Sequence, residues 1–115
     1  MSYKDISGWQ NFAPERIAKF DVQIAQRGFD DTDWWTLYVT IAQFVLPRLK
    51  AFKVGQMSFP ASITLEEWEA IVDKMIYSFE FVCDENRWML ETAEESIAIQ
   101  EGFELFGKWF THLWS

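Results

Sequence analysis

The chain has very little of the residues that form disulfides or bind metal ions. It contains one cysteine, Cys83, and one histidine, His112, among 115 residues. A single cysteine excludes an intramolecular disulfide, and neither a C-x-x-C nor an H-x-x-x-H spacing is present for a zinc site. The glycine patterns of nucleotide-binding loops and the G-x-S-x-G turn of hydrolases are also missing. We therefore expect no metal, no cofactor, no catalytic residue and no enzyme activity.

Basic residues and long apolar runs are scarce as well. Ten Lys and Arg stand against eighteen Asp and Glu, which gives a net charge of −8. This charge repels a phosphate backbone and excludes a non-specific nucleic-acid binder. No apolar run approaches the roughly 18 to 20 residues that span a bilayer, and the first ten residues lack the basic and apolar regions of a signal peptide. We expect a cytosolic protein with no membrane contact.

Local signals mark the ends of four helices. Pro14 suits the first turn of a helix, and Gly28 suits its end. The runs T-L-E-E at 64–67 and T-A-E-E at 92–95 are capping boxes, in which the first and fourth residues each bond the other's backbone. Asp31 is placed to cap the long apolar helix that follows it.

These signals predict an all-α fold. We expect a small antiparallel helical bundle with three long helices plus a short N-terminal helix, forming one domain over residues 1–115. Residues 1–13 show no clear period and are interpreted as an irregular N-terminal arm. Residues 31–53 should form the central helix, covered on most sides and bent near Gln43, because Pro47 removes one backbone hydrogen bond.

Arg48 is the most informative polar residue, because a helical projection places it within the apolar sector of the central helix. A guanidinium cannot be buried without a matching charge. Glu80 and Glu101, together with Lys74, are the candidate members of a buried ion-pair group. A ligand anion is the second explanation for Arg48, and a side chain that reaches the solvent at the edge of the bundle is the third.

Two groups of residues are candidates for ligand contact. Arg48, Lys50 and Lys53 form the densest basic group; they could hold a phosphate, or they could complement the helix dipole. Trp34 and Trp35 point about 100° apart on a helix. One of them could stack on a base, unless both pack in the core.

Tyr77 and Phe81 are the candidate protein interface. They lie four residues apart, on the otherwise polar side of their predicted helix. Exposed aromatic residues on a polar face are typical of protein contacts. The alternative is that the N-terminal arm covers them.

The motifs LPRLKAF, W-x(4)-DKMIYSFE and IQEGFELF follow one another in this order. Over about residues 29–114, the chain resembles a family of small uncharacterised proteins from tailed-bacteriophage genomes. The family pattern has one tryptophan at the helix start where this sequence has Trp34 and Trp35. Asp33 joins the candidate ligand-binding residues as one of the matching polar positions, which are Asp33, Trp35, Arg48, Lys53, Lys74, Glu80, Gln100 and Glu101.

The resemblance implies a setting rather than an activity. It implies a non-catalytic, phage-encoded binding protein in the host cytoplasm, expected to be a homo-oligomer. One function in this setting is counter-defence by sequestration of a nucleotide-derived immune signal, with phosphate at Arg48 and Lys53 and stacking on Trp34 or Trp35. The alternative is an acidic protein-interaction module that binds a host protein as a defence inhibitor, or that acts as a phage assembly factor.

Overall fold

A computed structural model describes residues 13–55, 58–87 and 91–115. The predicted arm at 1–13 lies, except for Ala13, outside these residues. In the described ranges the protein is all-helical, with five helices, four of them long, and without a strand. The chain divides into two compact units, Met1–Gln43 and Phe44–Ser115. The single domain and the antiparallel arrangement of the whole chain stay predictions.

The first unit begins with helix α1, Pro14–Arg27, which forms as the sequence predicted. The helix has proline in its first turn and ends at Gly28, whose φ of 83° suits a residue without a side chain. The Gly28 N–H donates to the Ile24 carbonyl at 2.8 Å and closes the last turn. With 14 residues, α1 is one of the long helices. The expected count of three long helices and a short N-terminal one is therefore corrected to four long helices and one short one within the described residues.

The predicted central helix is interrupted at Thr36. Its first turn is a separate helix, α2, Thr32–Trp35, and the remainder is α3, Leu37–Val54. Thr36 has φ −123° and ψ 63°, which lies outside the helical region. α3 contains Pro47 within its length, and the bend near Gln43 stays a prediction.

The start of α2 is fixed by a residue other than the one expected. The Asp31 side chain makes no capping bond. Asp30 is fully buried, and its Oδ1 accepts hydrogen bonds from the Thr32 N–H at 2.9 Å and the Thr32 hydroxyl at 2.5 Å. The Asp30 N–H donates to Asp33 Oδ2 at 2.9 Å. These bonds satisfy backbone groups that a helix start leaves without partners.

The second unit contains the end of α3, then α4, Leu65–Cys83, α5, Ala93–Lys108, and a 3-10 turn, Phe110–His112. Both predicted capping boxes are confirmed. Thr64 accepts a bond from the Glu67 N–H at 3.1 Å, and its own N–H donates to the Glu67 carboxylate at 3.0 Å. Thr92 and Glu95 make the same pair of bonds at the start of α5.

α4 and α5 approach closely where Gly102 faces Ser78. Ser78 is fully buried, and its hydroxyl donates to the Ile99 carbonyl at 2.7 Å. A Cβ atom on Gly102 would overlap Ser78 Oγ and the Lys74 carbonyl oxygen, and it would lie 2.8 Å from Ser78 Cβ. The contact is therefore possible only because residue 102 has no side chain.

Aromatic rings extend this contact on the C-terminal side of Gly102. Phe79 lies edge to face with Phe103 and Phe106, at centroid distances of 5.2 and 4.9 Å. Trp68 is fully buried and lies 5.8 Å from Trp109. Edge-to-face pairs at these distances are favourable beyond the area they bury. They form the core of the second unit with the buried residues Leu49, Val72, Met75 and Ile76.

Candidate functional site

Asp31 connects α1 to α2 in the first unit. Its Oδ2 accepts a hydrogen bond from Gln23 Nε2 at 2.9 Å, and its backbone N–H donates to Gln23 Oε1 at 2.9 Å. Its Oδ1 accepts bonds from Trp34 Nε1 and Arg27 Nη2, both at 3.0 Å. The bonds from Gln23 and then Trp34, with the bond and charge of Arg27, lower the pKa of the Asp31 carboxyl. The carboxylate thus holds the Trp34 indole in place.

Trp34 and Trp35 have different surroundings. Their rings lie edge to face, with centroids 6.3 Å apart. Trp35 packs towards α1, 5.7 Å from the Phe20 ring, with the Arg16 guanidinium 5.0 Å from its centroid. Trp34 keeps 53% of its surface exposed while Asp31 fixes its indole. Of the two rings, that of Trp34 is the more exposed, since Trp35 is 41% exposed.

Asp33 makes two hydrogen bonds that stabilise the local backbone. Its Oδ2 accepts the bond from the Asp30 N–H, and its carbonyl accepts a bond from the Thr40 hydroxyl at 2.6 Å. This second bond spans Thr36, where the helix is interrupted. The side chain therefore stabilises the start of α2, and the backbone carbonyl links α2 to α3. The candidate role of Asp33 in ligand binding stays a prediction.

Large apolar side chains are exposed at the beginning of α3. Leu37 is 53% exposed, Tyr38 50% and Ile41 45%. Their spacing of three and four residues places them on one side of the helix, and we call these three residues the α3 apolar face. The expectation that this helix is covered on most sides is therefore wrong. A helical projection shows which residues share a side but not whether another element covers that side.

Arg48 is exposed, which rules out the first of its three explanations, a buried ion pair. Its Nη1 donates to the Phe44 carbonyl at 2.9 Å, and its Cζ lies 3.7 Å from the centroid of the Phe44 ring. Among the described residues no carboxylate pairs with it. Of the three explanations, a side chain that reaches the solvent fits best, because Arg48 lies along its own helix and keeps its charge in water.

The other charged candidates form ion pairs at the surface, not in the core. Lys53 and Lys74 donate to carboxylates of neighbouring helices, and Glu80 lies near Lys50 instead of Arg48. Each pair is too exposed to contribute much stability. The pairs are Lys53 with Asp73, Lys50 with Glu80 at 3.6 Å, and Lys74 with Glu101 at 2.7 Å.

Two of the grooves on the surface of the second unit are lined by residues that the sequence singled out. The first, which we call the Arg48 groove, has a volume of about 300 Å³ and is lined by Phe44, Val45, Arg48, Leu49, Phe52, Phe106 and Leu113. The second, the Tyr77 groove, has a volume of about 400 Å³ and is lined by Leu46, Tyr77, Glu80, Phe81, Cys83, Asp84 and Arg87. Tyr77 is 40% exposed and Phe81 is half-buried, with the Arg87 guanidinium 5.6 Å from the Phe81 ring.

The predicted ligand-binding residues divide between the two units. Asp33, Trp34 and Trp35 belong to the first unit, whereas Arg48 and Lys53 belong to the second. Neither unit by itself holds both the stacking residues and the cations. Sequence reasoning overlooked Asp30, although the spacing D-x-T is typical of a carboxylate that accepts a backbone N–H two residues on.

Comparison with protein-family models, with curated proteins and with solved structures finds no match to this chain. Among residues 13–55, 58–87 and 91–115, no group of three His, Cys, Asp or Glu side chains is arranged to hold a metal ion. No helix in the same ranges is both long and apolar enough to cross a membrane.

Proposed function

We propose that this chain is a non-catalytic binding protein that acts by protein contact. The observation that carries the proposal is the α3 apolar face, at which Leu37, Tyr38 and Ile41 are each about half exposed on one helix side. Single exposed apolar residues are ordinary. Neighbouring ones along a helix are typical of a surface that another protein covers.

Trp34 strengthens the proposal. Its ring is exposed, yet the bond from its indole N–H to Asp31 restricts its movement. A side chain that is already ordered loses little entropy on binding. Tryptophan residues of this kind are frequent among those that contribute most to protein interfaces.

The setting of this contact follows from the family resemblance and is part of the proposal. The resemblance to tailed-phage proteins points to the host cytoplasm during infection, with a host defence protein, a phage assembly component or a second copy of this chain as the partner. The net charge of −8 would keep such an apolar surface soluble before it meets its partner.

A change of two residues on the α3 apolar face tests the proposal. Leu37→Ser with Ile41→Ser removes most of the exposed aliphatic surface. Ile97→Ser is the matched control, because Ile97 is 72% exposed on another helix. Sedimentation velocity and affinity purification from host cells, with quantified partners, should show a self-association or partner that the double variant loses and the control keeps. If the wild type, the double variant and Ile97→Ser self-associate equally and recover the same partners, the proposal is refuted.

Sequestration of a nucleotide is the second candidate function. The observation that favours it is Arg48, whose guanidinium is stacked on Phe44 beside a groove. Lys53 supports it less, because it is engaged with Asp73. Titration calorimetry with cyclic and linear nucleotide signals is the test. Heat with one nucleotide that disappears in Arg48→Gln would establish this function, and absence of heat with all of them would exclude it for those ligands.

A further inference from the structure

The Arg48 groove combines apolar walls with a single cation. Leu49 lies at its base, only 4% exposed, and Phe44 stands at its edge, 60% exposed. We infer that this groove binds a peptide segment of a partner protein in which an Asp or Glu lies beside a large apolar side chain. The inference rests on the proposed function in that the partner is a protein, and it adds the chemistry of the segment and a separate site.

Charge complementarity indicates an acidic segment. Among the described residues that line the groove, Arg48 is the one charged side chain and none is a carboxylate. The whole of α3, residues 37–54, contains three Lys and Arg and no Asp or Glu, within a chain of net charge −8. Lys50 lies near Glu80 and Lys53 is paired with Asp73, which leaves Arg48, among the described residues, as the α3 cation without a carboxylate partner. An anionic group is therefore attracted to Arg48.

The guanidinium is arranged for a carboxylate before binding. Nη1 is held by the Phe44 carbonyl and the planar group lies over the Phe44 ring, so that Nε and Nη2 are the nitrogens left for an incoming anion. Two parallel N–H donors match the two oxygens of a carboxylate. Because the side chain is already ordered, pairing loses less entropy than it would at a free arginine.

The size and lining of the groove favour an apolar side chain beside that carboxylate. About 300 Å³ is at the lower limit of ligand sites and suits one or two side chains, not a long acyl chain. The walls are aliphatic and phenyl groups, which gain from covering by another apolar group. A nucleotide polyphosphate carries several charges and would find one cation here, which makes it the poorer match.

Selection from a displayed peptide library tests the inference without a known partner. A yeast-displayed library of random twelve-residue peptides is sorted against the full chain, against Arg48→Gln and against Lys50→Gln. The Lys50 change alters net charge equally and lies on the same helix, but outside the groove. We expect the wild type and Lys50→Gln to enrich peptides with Asp or Glu beside Leu, Ile, Phe or Trp, and Arg48→Gln to lose this enrichment.

Fluorescence polarisation with the most enriched peptide gives the magnitude. Arg48→Gln should weaken binding roughly two- to fivefold and reduce its salt dependence, which is the range for an exposed ion pair. Replacement of the peptide Asp or Glu by its amide should have the same effect and no further effect in Arg48→Gln. Displacement of the peptide by ADP or by octanoate at comparable concentrations would identify a different ligand class and overturn the inference.

Failure of this inference differs from failure of the proposed function. Leu37→Ser with Ile41→Ser should leave peptide binding unchanged, because those residues do not line the groove. Enrichment without an acidic preference, equal enrichment by Arg48→Gln, or no enrichment would overturn the role of the groove. The loss of a partner through the α3 apolar face would stand in each of these cases.

Discussion

The two units of this chain are ordered by different chemistry. In the first unit, Asp30 and Asp31 hold the α1–α2 connection through hydrogen bonds to backbone groups, an amide, an indole and a guanidinium. In the second unit, the contact of α4 with α5 depends on the absence of a side chain at Gly102 and on edge-to-face rings. The α1–α2 connection therefore depends on hydrogen bonds to carboxyl groups, whereas the contact of α4 with α5 depends on close packing.

This difference predicts different sensitivities. Polar networks respond to pH and to the loss of one partner, because a buried donor or acceptor then lacks a bond. Closely packed helices respond to added volume and are largely indifferent to pH. Three substitutions and one change of pH test whether the two units differ in this way.

Gly102→Ala should have the largest effect. The added Cβ overlaps Ser78 Oγ and also the backbone oxygen of Lys74, so that the two helices must move apart. We expect the free energy of unfolding to fall by about 3 kcal/mol, which is the upper part of the usual range for overpacking. Urea unfolding followed by circular dichroism measures this change.

Gly107→Ala is the matched control in the same helix. A Cβ on Gly107 would meet no atom within 4 Å. Replacing an open helical glycine by alanine should raise the free energy of unfolding by about 0.5 to 1 kcal/mol. If Gly102→Ala and Gly107→Ala destabilise the protein equally, the contact between α4 and α5 at Gly102 does not explain the loss of stability.

Asp30→Ala should have the largest effect in the first unit. The change leaves the N–H and hydroxyl of buried Thr32 without their acceptor. The expected loss is about 2 kcal/mol, seen as faster amide hydrogen exchange in α1 with little change in α4. The control is Asp21→Ala, an exposed carboxylate of α1 with the same charge. Equal acceleration in both helices would contradict the separate ordering of the units.

Acid should loosen the first unit before the second. The folded Asp31 pKa is lower than its ordinary value of 3.8, so the unfolded chain binds the proton first as the pH falls. The stabilising contribution is therefore complete above that value and disappears as the pH drops through the folded pKa. The protection factors of the α1 amides, which correct the exchange rate for its own dependence on pH, should fall between pH 5 and 2.5, and Asp31→Asn should flatten this profile. If the profile is the same in Asp31→Asn, Asp31 is not the group whose protonation loosens the first unit.

Arg48→Ala should have the smallest effect on stability. The side chain is exposed and bonds only its own helix and the Phe44 ring among the described residues. We expect a change within about 0.5 kcal/mol. Breaking a buried ion pair would cost about 3 to 5 kcal/mol, so thermal unfolding of this variant distinguishes the exposed arginine from the buried one that the sequence suggested.

Local features of the fold could be predicted from the sequence because each depends on a few adjacent residues. Pro14, Gly28 and the two capping boxes begin or end helices through bonds within one turn of chain. The break at Thr36 could not be predicted, because no Gly or Pro marks it. The bond that spans it joins the Thr40 hydroxyl to the Asp33 carbonyl, seven residues apart, and no local sequence signal indicates this bond.

The candidate site was less predictable than the fold. Helical spacing placed Arg48 and Ile41 on an apolar side, but it could not show that water covers that side. Arginine in such a position is ambiguous, since its long stem allows it to lie along its own helix. The partners in the ion pairs could not be predicted either. Glu80 could pair with any of several cations, and in the structure it pairs with Lys50.

Gly102 also restricts how this protein can change over evolutionary time. Every substitution of glycine adds at least one carbon atom, so no single replacement at this position preserves the crossing of α4 and α5. Aromatic core positions have alternatives, because Phe, Leu and Met exchange at modest cost in many cores. Distant descendants of this chain should therefore vary their phenylalanines and retain glycine opposite a small residue, which makes the pair Ser78 and Gly102 a more durable mark of common ancestry than the longer apolar motifs.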